Sequence, residues 1–113
     1  NVIGIDCSGL VIMCYKYAMV DTEYKLLNED MTAQNIHDYA STKKSVGTVQ
    51  KGDLVFIGPE GSKEITHIGF FQKYEDNIVY ILDSSSDSNG VHYNTYSVDS
   101  KKIKGYGRMR VKY

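Results

Sequence analysis

A cysteine near the start of the chain stands where a helix is predicted to begin. Apolar or small residues recur with helical spacing from position 7 onward, and Asp6 precedes them in the position of an N-cap. The partial positive charge at a helix N-terminus stabilises a thiolate, which is the nucleophilic form of cysteine. Gly9 leaves the surface beside Cys7 open to the approach of a substrate carbonyl. Cys7 is therefore either an activated nucleophile or a buried structural residue, as many free cysteines are.

A histidine in the second half of the chain could supply the base that such a cysteine needs. His67 stands in residues 65–72, an apolar segment with the pattern of a β-strand. A strand would hold the imidazole rigidly, as general base catalysis requires. A histidine that simply packs at the border of the core fits the same pattern. The other histidines, His37 and His92, are interpreted as ordinary surface or partly buried residues.

Cys14 is predicted to pack on the apolar side of the first helix, whose stripe comprises positions 7, 10, 11, 14, 17 and 18. In a helix, the Cα atoms of Cys7 and Cys14 would lie about 10 Å apart. A disulfide requires a separation below about 7 Å, so both thiols are predicted to be free. Cysteines and histidines are too few and too dispersed for a structural zinc site. The sequence predicts no metal and no cofactor.

The composition indicates one globular domain over residues 1–113. Hydrophobic residues make up 42% of the chain and charged residues 24%, which is ordinary globular usage. The 13 basic and 14 acidic residues lack the basic excess of a nucleic-acid-binding protein. No run approaches the ~20 apolar residues of a membrane-spanning helix, and no basic segment precedes the first apolar run as a signal peptide requires. Because the chain begins with Asn1 and not with Met, we interpret it as either a processed product or a domain excised from a larger protein.

The order of the predicted elements indicates an α+β fold. Helices are predicted at residues 7–18 and 32–39, with Thr32 as the cap of the second, and residues 41–50 have the composition of a loop. Strands are predicted at residues 54–57, 65–72, 77–82, 91–96 and 108–113, with a hairpin turn at residues 73–76. Because helices and strands are segregated, we expect N-terminal helices packed on a mainly antiparallel sheet of about five strands.

Three short motifs stand in order along the chain. Asp-Cys-Ser-Gly-Leu-Val begins at Asp6, Gly-Asp-Leu-Val-Phe begins at Gly52, and His-Ile-Gly-Phe-Phe begins at His67. Together they resemble the NlpC-type family of papain-like cell-wall cysteine peptidases, and the similarity extends in order to residues 105–108. The resemblance implies the papain-like NlpC-type fold, a cysteine peptidase activity without a cofactor, and a location outside the cell or in its envelope.

The resemblance also implies a catalytic group of three residues. Cys7 would attack a peptide carbonyl, and His67 would act as the base that makes and stabilises the thiolate. The third position lies on the strand after the histidine and commonly holds a second histidine. In this sequence it falls on Asp83, whose carboxylate could orient the ring and stabilise the imidazolium. His92 is the alternative third member.

The surroundings of the cysteine are implied in the same way. Asp6 and Ser8, which flank Cys7, would help to line the site that binds the stem peptide. Family members usually carry an upstream segment with an aromatic residue and paired glycines, and this segment contributes a tyrosine to the active site. The six residues before Cys7 leave no room for it. We therefore expect that this segment was cut off or that another part of the chain forms that wall.

The implied activity is hydrolysis of an amide bond in a peptidoglycan stem peptide through a thioester acyl-enzyme. The family most often cuts after D-γ-glutamyl and before a diamino acid. The expected partner is the stem peptide alone, with no nucleic acid, and the domain is expected to be a monomer with other domains in its parent protein. Two alternatives stay open: a cysteine amidase or acyltransferase on the same scaffold, and a non-catalytic wall-binding or phage structural module.

Overall fold

The computed structural model describes residues 7–27, 31–85 and 90–112. Its helices are α1 (Cys7–Ala18) and α2 (Ala33–Tyr39). Its strands are β1 (Lys25–Leu26), β2 (Ser41–Lys44), β3 (Leu54–Ile57), β4 (His67–Glu75), β5 (Ile78–Ser85), β6 (Gly90–Ser97), β7 (Ile103–Met109) and β8 (Val111–Lys112). Within these ranges, neither helix combines the length and the apolar character that a membrane crossing requires. The predicted α+β class is confirmed.

Six strands form one antiparallel sheet in the order β2-β7-β3-β4-β5-β6, and β1 pairs with β8 in a small second sheet. The described part of the chain therefore has more strands than the five or so predicted. The loop prediction for residues 41–50 was wrong at β2, which pairs with β7. Because β2 lies at the edge of the sheet, polar and charged side chains such as Lys43 are tolerated there and hide the strand in the sequence. The predicted last strand is also divided, because Arg110 separates β7 from β8.

The hairpin of β4 and β5 determines which residues meet at the candidate site. Asp76 and Asn77 form the turn, and both have positive φ, at 54° and 64°, as two-residue hairpin turns often require. The turn therefore lies later than the predicted residues 73–76, and β4 extends to Glu75. Phe70 pairs with Leu82, so the start of β4 lies beside the end of β5.

The core has two parts, one on each side of β3, whose four residues are all buried. One part lies between the helices and the sheet and includes Val11, Ile12, Ile36, Leu54, Phe56 and Ile68. The other part includes Val55, Ile57, Phe71, Val79 and Ile81, and no helical residue among those that the structure describes belongs to it. Because successive side chains of a strand point to opposite faces, β3 contributes alternately to the two parts.

The buried face of α1 differs from the predicted stripe. Its buried residues are Leu10, Val11 and Ile12, while Tyr15, and Met19 just after the helix, are partly buried against the same core. Cys14 is exposed, and Tyr17 is 84% exposed. The prediction that Cys14 packs in the core was therefore wrong. Nearly every residue of this helix is apolar, so its periodicity does not select one face, and packing against β4 and β5 decides which face is buried.

The predicted second helix and its cap are confirmed. The Thr32 side chain accepts a hydrogen bond from the backbone N–H of Asn35 at 3.1 Å, as an N-cap residue does. Ile36 is fully buried and anchors the short helix in the core. Although α2 has only seven residues, its cap and this contact hold it in place.

An ion pair between Asp53, which is buried, and Arg108, which is 40% exposed, accounts for the charge within the second motif. Asp53 accepts hydrogen bonds from Nε and Nη2 of Arg108, both at 2.8 Å, and from the backbone N–H of Gln50. Burial alone would raise the pKa of Asp53, but these hydrogen bonds lower it below the ordinary value. The pair joins the turn before β3 to the end of β7. Gly52 beside it has a φ of +94°, a backbone conformation that favours glycine.

Candidate active site

Cys7 is the first residue of α1 and is partly buried against the helix-side core. The N–H groups of the first helical turn have no partner within the helix and concentrate partial positive charge at its end. The structure thus places the cysteine at a helix N-terminus, as its sequence predicts. Asp6, predicted as its N-cap and as a substrate-binding residue, lies outside the described residues.

His67 is the first residue of β4, and its side chain is hydrogen-bonded to the side chain of Cys7. The ring is 23% exposed, so it borders solvent without being free in it. The packing of α1 against β4 brings the helix terminus and the strand terminus together. The structure therefore brings the two residues into contact across a sequence separation of 60 positions.

Asp83 lies on β5 on the other side of the imidazole. Its Oδ2 atom is 2.5 Å from Nε2 of His67, and its side chain is fully buried. When Nε2 donates its hydrogen to the carboxylate, Nδ1 is the ring nitrogen left to exchange a proton with the Cys7 thiol. The three residues form a continuous hydrogen-bonded chain from sulfur to carboxylate.

The electrostatics of the site favour a charged imidazole. The hydrogen bond to Asp83 has the largest effect on the pKa of His67, and the hydrogen bond to Cys7 has the second largest. Together they outweigh the effect of burial and raise this pKa from 6.5 to about 9. His67 is therefore protonated at neutral pH in this environment. A protonated imidazole therefore lies beside the side chain of Cys7.

The other histidines occupy different places. His92 pairs with Asp83 across β5 and β6, and its Nε2 atom lies 3.9 Å from Oδ1, the carboxylate oxygen that does not bind His67. His37 lies on α2, where its Nδ1 is 2.8 Å from Asp38 and its ring packs edge-on against Phe56. His37 has a packing role, whereas His92 belongs to the outer part of the candidate site.

Ser8, the other predicted substrate-binding residue, is the second residue of α1 and is partly buried. It lies in the first helical turn beside Cys7. This is a place from which a hydroxyl could contact a bound peptide. Its role in binding stays a prediction.

Sequence reasoning missed Asn94, which donates a hydrogen bond from Nδ2 to Oδ1 of Asp83 at 2.8 Å. On β6 it is two positions beyond His92, which pairs with Asp83. The period of two along a strand places Asn94 and His92 on the same face. A register for β5 and β6 would have been needed to find it, and a single sequence does not supply one.

Gly69 provides the space in which the carboxylate lies. A Cβ atom at this position would stand 3.1 Å from Cβ of Asp83 and 3.2 Å from Cδ1 of Ile81. Such distances are tighter than ordinary van der Waals contacts. The glycine of the His-Ile-Gly motif therefore allows β5 to bring its aspartate close to the histidine strand.

We expect Gly69→Ala to displace Asp83 and to impair the site. Overpacking of this kind costs about 1–3 kcal/mol of unfolding free energy, and the misplaced carboxylate should lower the turnover rate. Chemical denaturation and turnover measurements would check both effects. Gly47→Ala is the matched control, because a Cβ there would meet only Ser45 Oγ at 3.9 Å. Equal stability and activity of the two variants would contradict this account of Gly69.

Three solved structures share the fold. The structure of Ly7917 superposes with a TM-score of 0.67 at 17% identity, covering 96% of this chain and 55% of that one. The structure of Ly7917 with the hydrolyzing product of MDP gives 0.60 at 16% identity, with coverage of 92% and 53%. A protein from Staphylococcus aureus Mu50, described as similar to lipoprotein and of the NLP/P60 family, gives 0.59 at 24% identity, with coverage of 93% and 32%. The chain thus spans from a third to about half of these structures.

Comparison at the level of sequence identifies the family. No curated protein sequence matches the chain. The model of the NlpC/P60 family, however, matches residues 1–106, which include all three motifs of the sequence analysis. The match covers nearly the whole chain and confirms the resemblance. The chain therefore belongs to the NlpC/P60 family, whose members are generally cell-wall peptidases.

Proposed function

We propose that this protein is a cysteine endopeptidase that hydrolyses the amide bond between D-γ-glutamate and a diamino acid in peptidoglycan stem peptides. The hydrogen-bonded chain from Cys7 through His67 to Asp83 is the observation that supports it most directly. A nucleophile, a base and an orienting carboxylate in contact are the groups that acyl transfer by a cysteine requires. Family membership supports the substrate class, and we propose that the protein acts outside the cell or in its envelope.

Acylation starts from the thiolate–imidazolium pair. The Cys7 sulfur attacks the carbonyl carbon, a C–S bond forms, and the π electrons move to the oxygen. The partial positive charge at the N-terminus of α1 would stabilise the oxyanion. The His67 imidazolium then donates its Nδ1 proton to the departing amine, the C–N bond breaks, and a thioester remains on Cys7.

Deacylation uses the same residues, but His67 now accepts a proton where it donated one before. Neutral His67 takes a proton from a water molecule, whose oxygen attacks the thioester carbonyl. The C–S bond breaks, the acid product leaves, and the thiolate–imidazolium pair forms again. Asp83 holds the ring through Nε2 in both steps, so that Nδ1 faces the reacting atoms.

Substrate contacts are proposed for the residues that flank the nucleophile. Ser8 in the first turn of α1, and Asp6 before it, would bind the stem peptide. A hydrolytic role on this fold is also consistent with the neighbour Ly7917, which was solved with the hydrolyzing product of MDP.

Mass spectrometry of purified muropeptides incubated with the protein tests the proposal. We expect one product that ends in D-γ-glutamate with a free carboxylate and a second that begins with the diamino acid. Products in which an added amine replaces water would indicate an acyltransferase. Unchanged muropeptides, with the folded protein present, would contradict the peptidase proposal and favour a binding module.

Thiol labelling provides a test that needs no substrate. An ordinary exposed thiol is less than about 1% thiolate at pH 6, whereas Cys7 beside protonated His67 should react from its thiolate form. We expect iodoacetamide to modify the Cys14→Ser variant, which retains Cys7, at least about tenfold faster than the Cys7→Ser variant, which retains Cys14. Both single-cysteine variants are needed because Cys14 is exposed. Equal rates at pH 6 would show that Cys7 is not activated.

A further inference from the structure

The carboxylate of Asp83 is held from two sides. Its Oδ2 atom binds Nε2 of His67, and its Oδ1 atom accepts the hydrogen bond from Nδ2 of Asn94 at 2.8 Å. The side chain is fully buried, so water does not supply these contacts. His92, at 3.9 Å from Oδ1, lies beyond hydrogen-bonding distance.

We propose that Asn94 is a positioning residue, which holds the Asp83 carboxylate in the orientation that directs Oδ2 at the His67 ring. This proposal rests on the proposed peptidase function, because it gives Asn94 a part in the same proton transfers. Asn94 touches neither the substrate carbonyl nor the sulfur in this scheme and acts through Asp83 alone.

The need for such a residue follows from the freedom of a carboxylate. The terminal torsion of aspartate is broad, so a single hydrogen bond to His67 leaves the plane of the group poorly determined. A second hydrogen bond to the other oxygen restricts that torsion. It also replaces the hydrogen bond to water that this buried oxygen loses on folding. Without the second hydrogen bond the acceptor would be buried and unpaired, which costs free energy.

The pairing of β5 with β6 fixes the backbone position of Asn94. Ile81 pairs with Asn94 and Asp83 pairs with His92 in the ladder of β5 and β6. The amide therefore reaches Oδ1 from a backbone position fixed by the interstrand hydrogen bonds. A donor held in this way restricts its acceptor with little further loss of side-chain freedom.

Several ionisable side chains face the carboxylate from the neighbouring strands and helix. His67 faces it from β4, with Cys7 of α1 behind the ring, and His92 and Tyr96 face it from β6. Burial, followed by the negative charge of Asp83, raises the pKa of Tyr96. Asn94 is not ionisable, so replacing it with an apolar residue changes hydrogen bonding without changing the charge.

Nuclear magnetic resonance of ¹⁵N-labelled histidine tests the proposal through the titration of His67. Asn94→Leu keeps the approximate volume and removes the donor, so the carboxylate should turn and bind the imidazolium less well. We expect the pKa of His67 to fall from about 9 by roughly 0.5–1 unit, less than the full effect of a hydrogen bond to a charged group. In turnover assays, kcat should fall severalfold with KM nearly unchanged, because the ground-state contacts to substrate are retained.

Thr95→Val is the matched control, since Thr95 is the adjacent residue on β6 and is exposed. It should leave the His67 titration as in the wild type. Asn94→Ala is the second variant in case leucine disturbs the fold, and it should shift the pKa in the same direction by less, because water can enter the vacated space. An unchanged pKa of His67 in a folded Asn94 variant would overturn the proposal. This holds even if His92 takes over the hydrogen bond to Oδ1, because Asn94 would then not be needed to orient the carboxylate. The titration needs no substrate, so its result does not depend on muropeptide cleavage. The Asn94 proposal can therefore be contradicted while the peptidase proposal holds, and the expected shift in the pKa of His67 can be observed in a protein that does not cleave muropeptides.

Discussion

Replacing Cys7 with alanine is expected to abolish muropeptide cleavage while leaving the protein folded. Without the sulfur no thioester can form, and the loss of a covalent nucleophile lowers turnover by on the order of 10⁴-fold or more. Because Cys7 is only partly buried at a helix terminus, the truncation removes little packing, and unfolding by denaturant should be nearly unchanged. Mass spectrometry of the muropeptide products measures the first effect and circular dichroism the second.

Cys14→Ala is the control for this experiment. Because Cys14 is exposed on α1, its replacement should change the unfolding free energy by less than about 0.5 kcal/mol and should leave cleavage intact. The outcome that would remove Cys7 from the mechanism is the reverse one: an inactive Cys14→Ala protein beside an active Cys7→Ala protein, both with native spectra.

The parts of the site that the sequence predicted are those that depend on local chemistry. The N-terminus of a helix can be predicted from the sequence, and the structure places Cys7 there. The short apolar segment of residues 65–72 predicts a strand, and His67 stands within that segment. The structure brings these two residues together with Asp83, and their catalytic roles stay predictions until the variants are measured.

The parts that the sequence did not predict depend on contacts between distant segments. Cys14 was assigned to the wrong face because α1 is apolar on several sides, and only its packing on the sheet selects the buried one. β2 was read as a loop because an edge strand can be polar and still pair along its whole length. Asn94 was overlooked because its contact with Asp83 is set by the register of two strands.

The position of Asp83 was predictable from the sequence only in part. The resemblance places it on the strand after the histidine, and the antiparallel pairing of β4 with β5 brings that strand beside His67. The closeness of the approach depends on Gly69, whose missing Cβ leaves room for the aspartate. A motif glycine thus has a structural explanation that becomes visible only when the neighbouring strand is present.

Asp83→Asn is expected to move the alkaline limb of the pH–rate profile to lower pH while retaining part of the activity. The active form requires the imidazolium, and the pKa of His67 is about 9 because of its contacts with Asp83 and Cys7. A neutral amide can still accept a hydrogen bond from Nε2, but it no longer attracts the imidazolium by its charge. The pKa of His67 should therefore fall toward 6.5, by about one unit or more, and activity should be lost at correspondingly lower pH.

Asn94 makes this substitution geometrically feasible. With the amide oxygen of residue 83 turned to His67, its NH₂ group faces Nδ2 of Asn94, and the two donors would repel each other. A rotation of the Asn94 amide by 180° presents its oxygen instead and restores the hydrogen bond. The ring orientation can thus survive the loss of charge, which separates the two contributions of the carboxylate in a single variant.

Asp83→Ala removes both contributions and should lower kcat further, by on the order of 10²-fold, because the imidazole loses its orienting partner. The loss should still be smaller than in Cys7→Ala or His67→Ala, since Asp83 does not react itself. Profiles of kcat/KM against pH for the wild type and both Asp83 variants measure these effects, and Thr95→Val again serves as the control. If the alkaline limb and the rate of Asp83→Asn equalled those of the wild type, the orientation of His67 would have to be assigned to His92 or to water. If the limb moved while the rate at lower pH stayed high, the carboxylate would act chiefly through its charge.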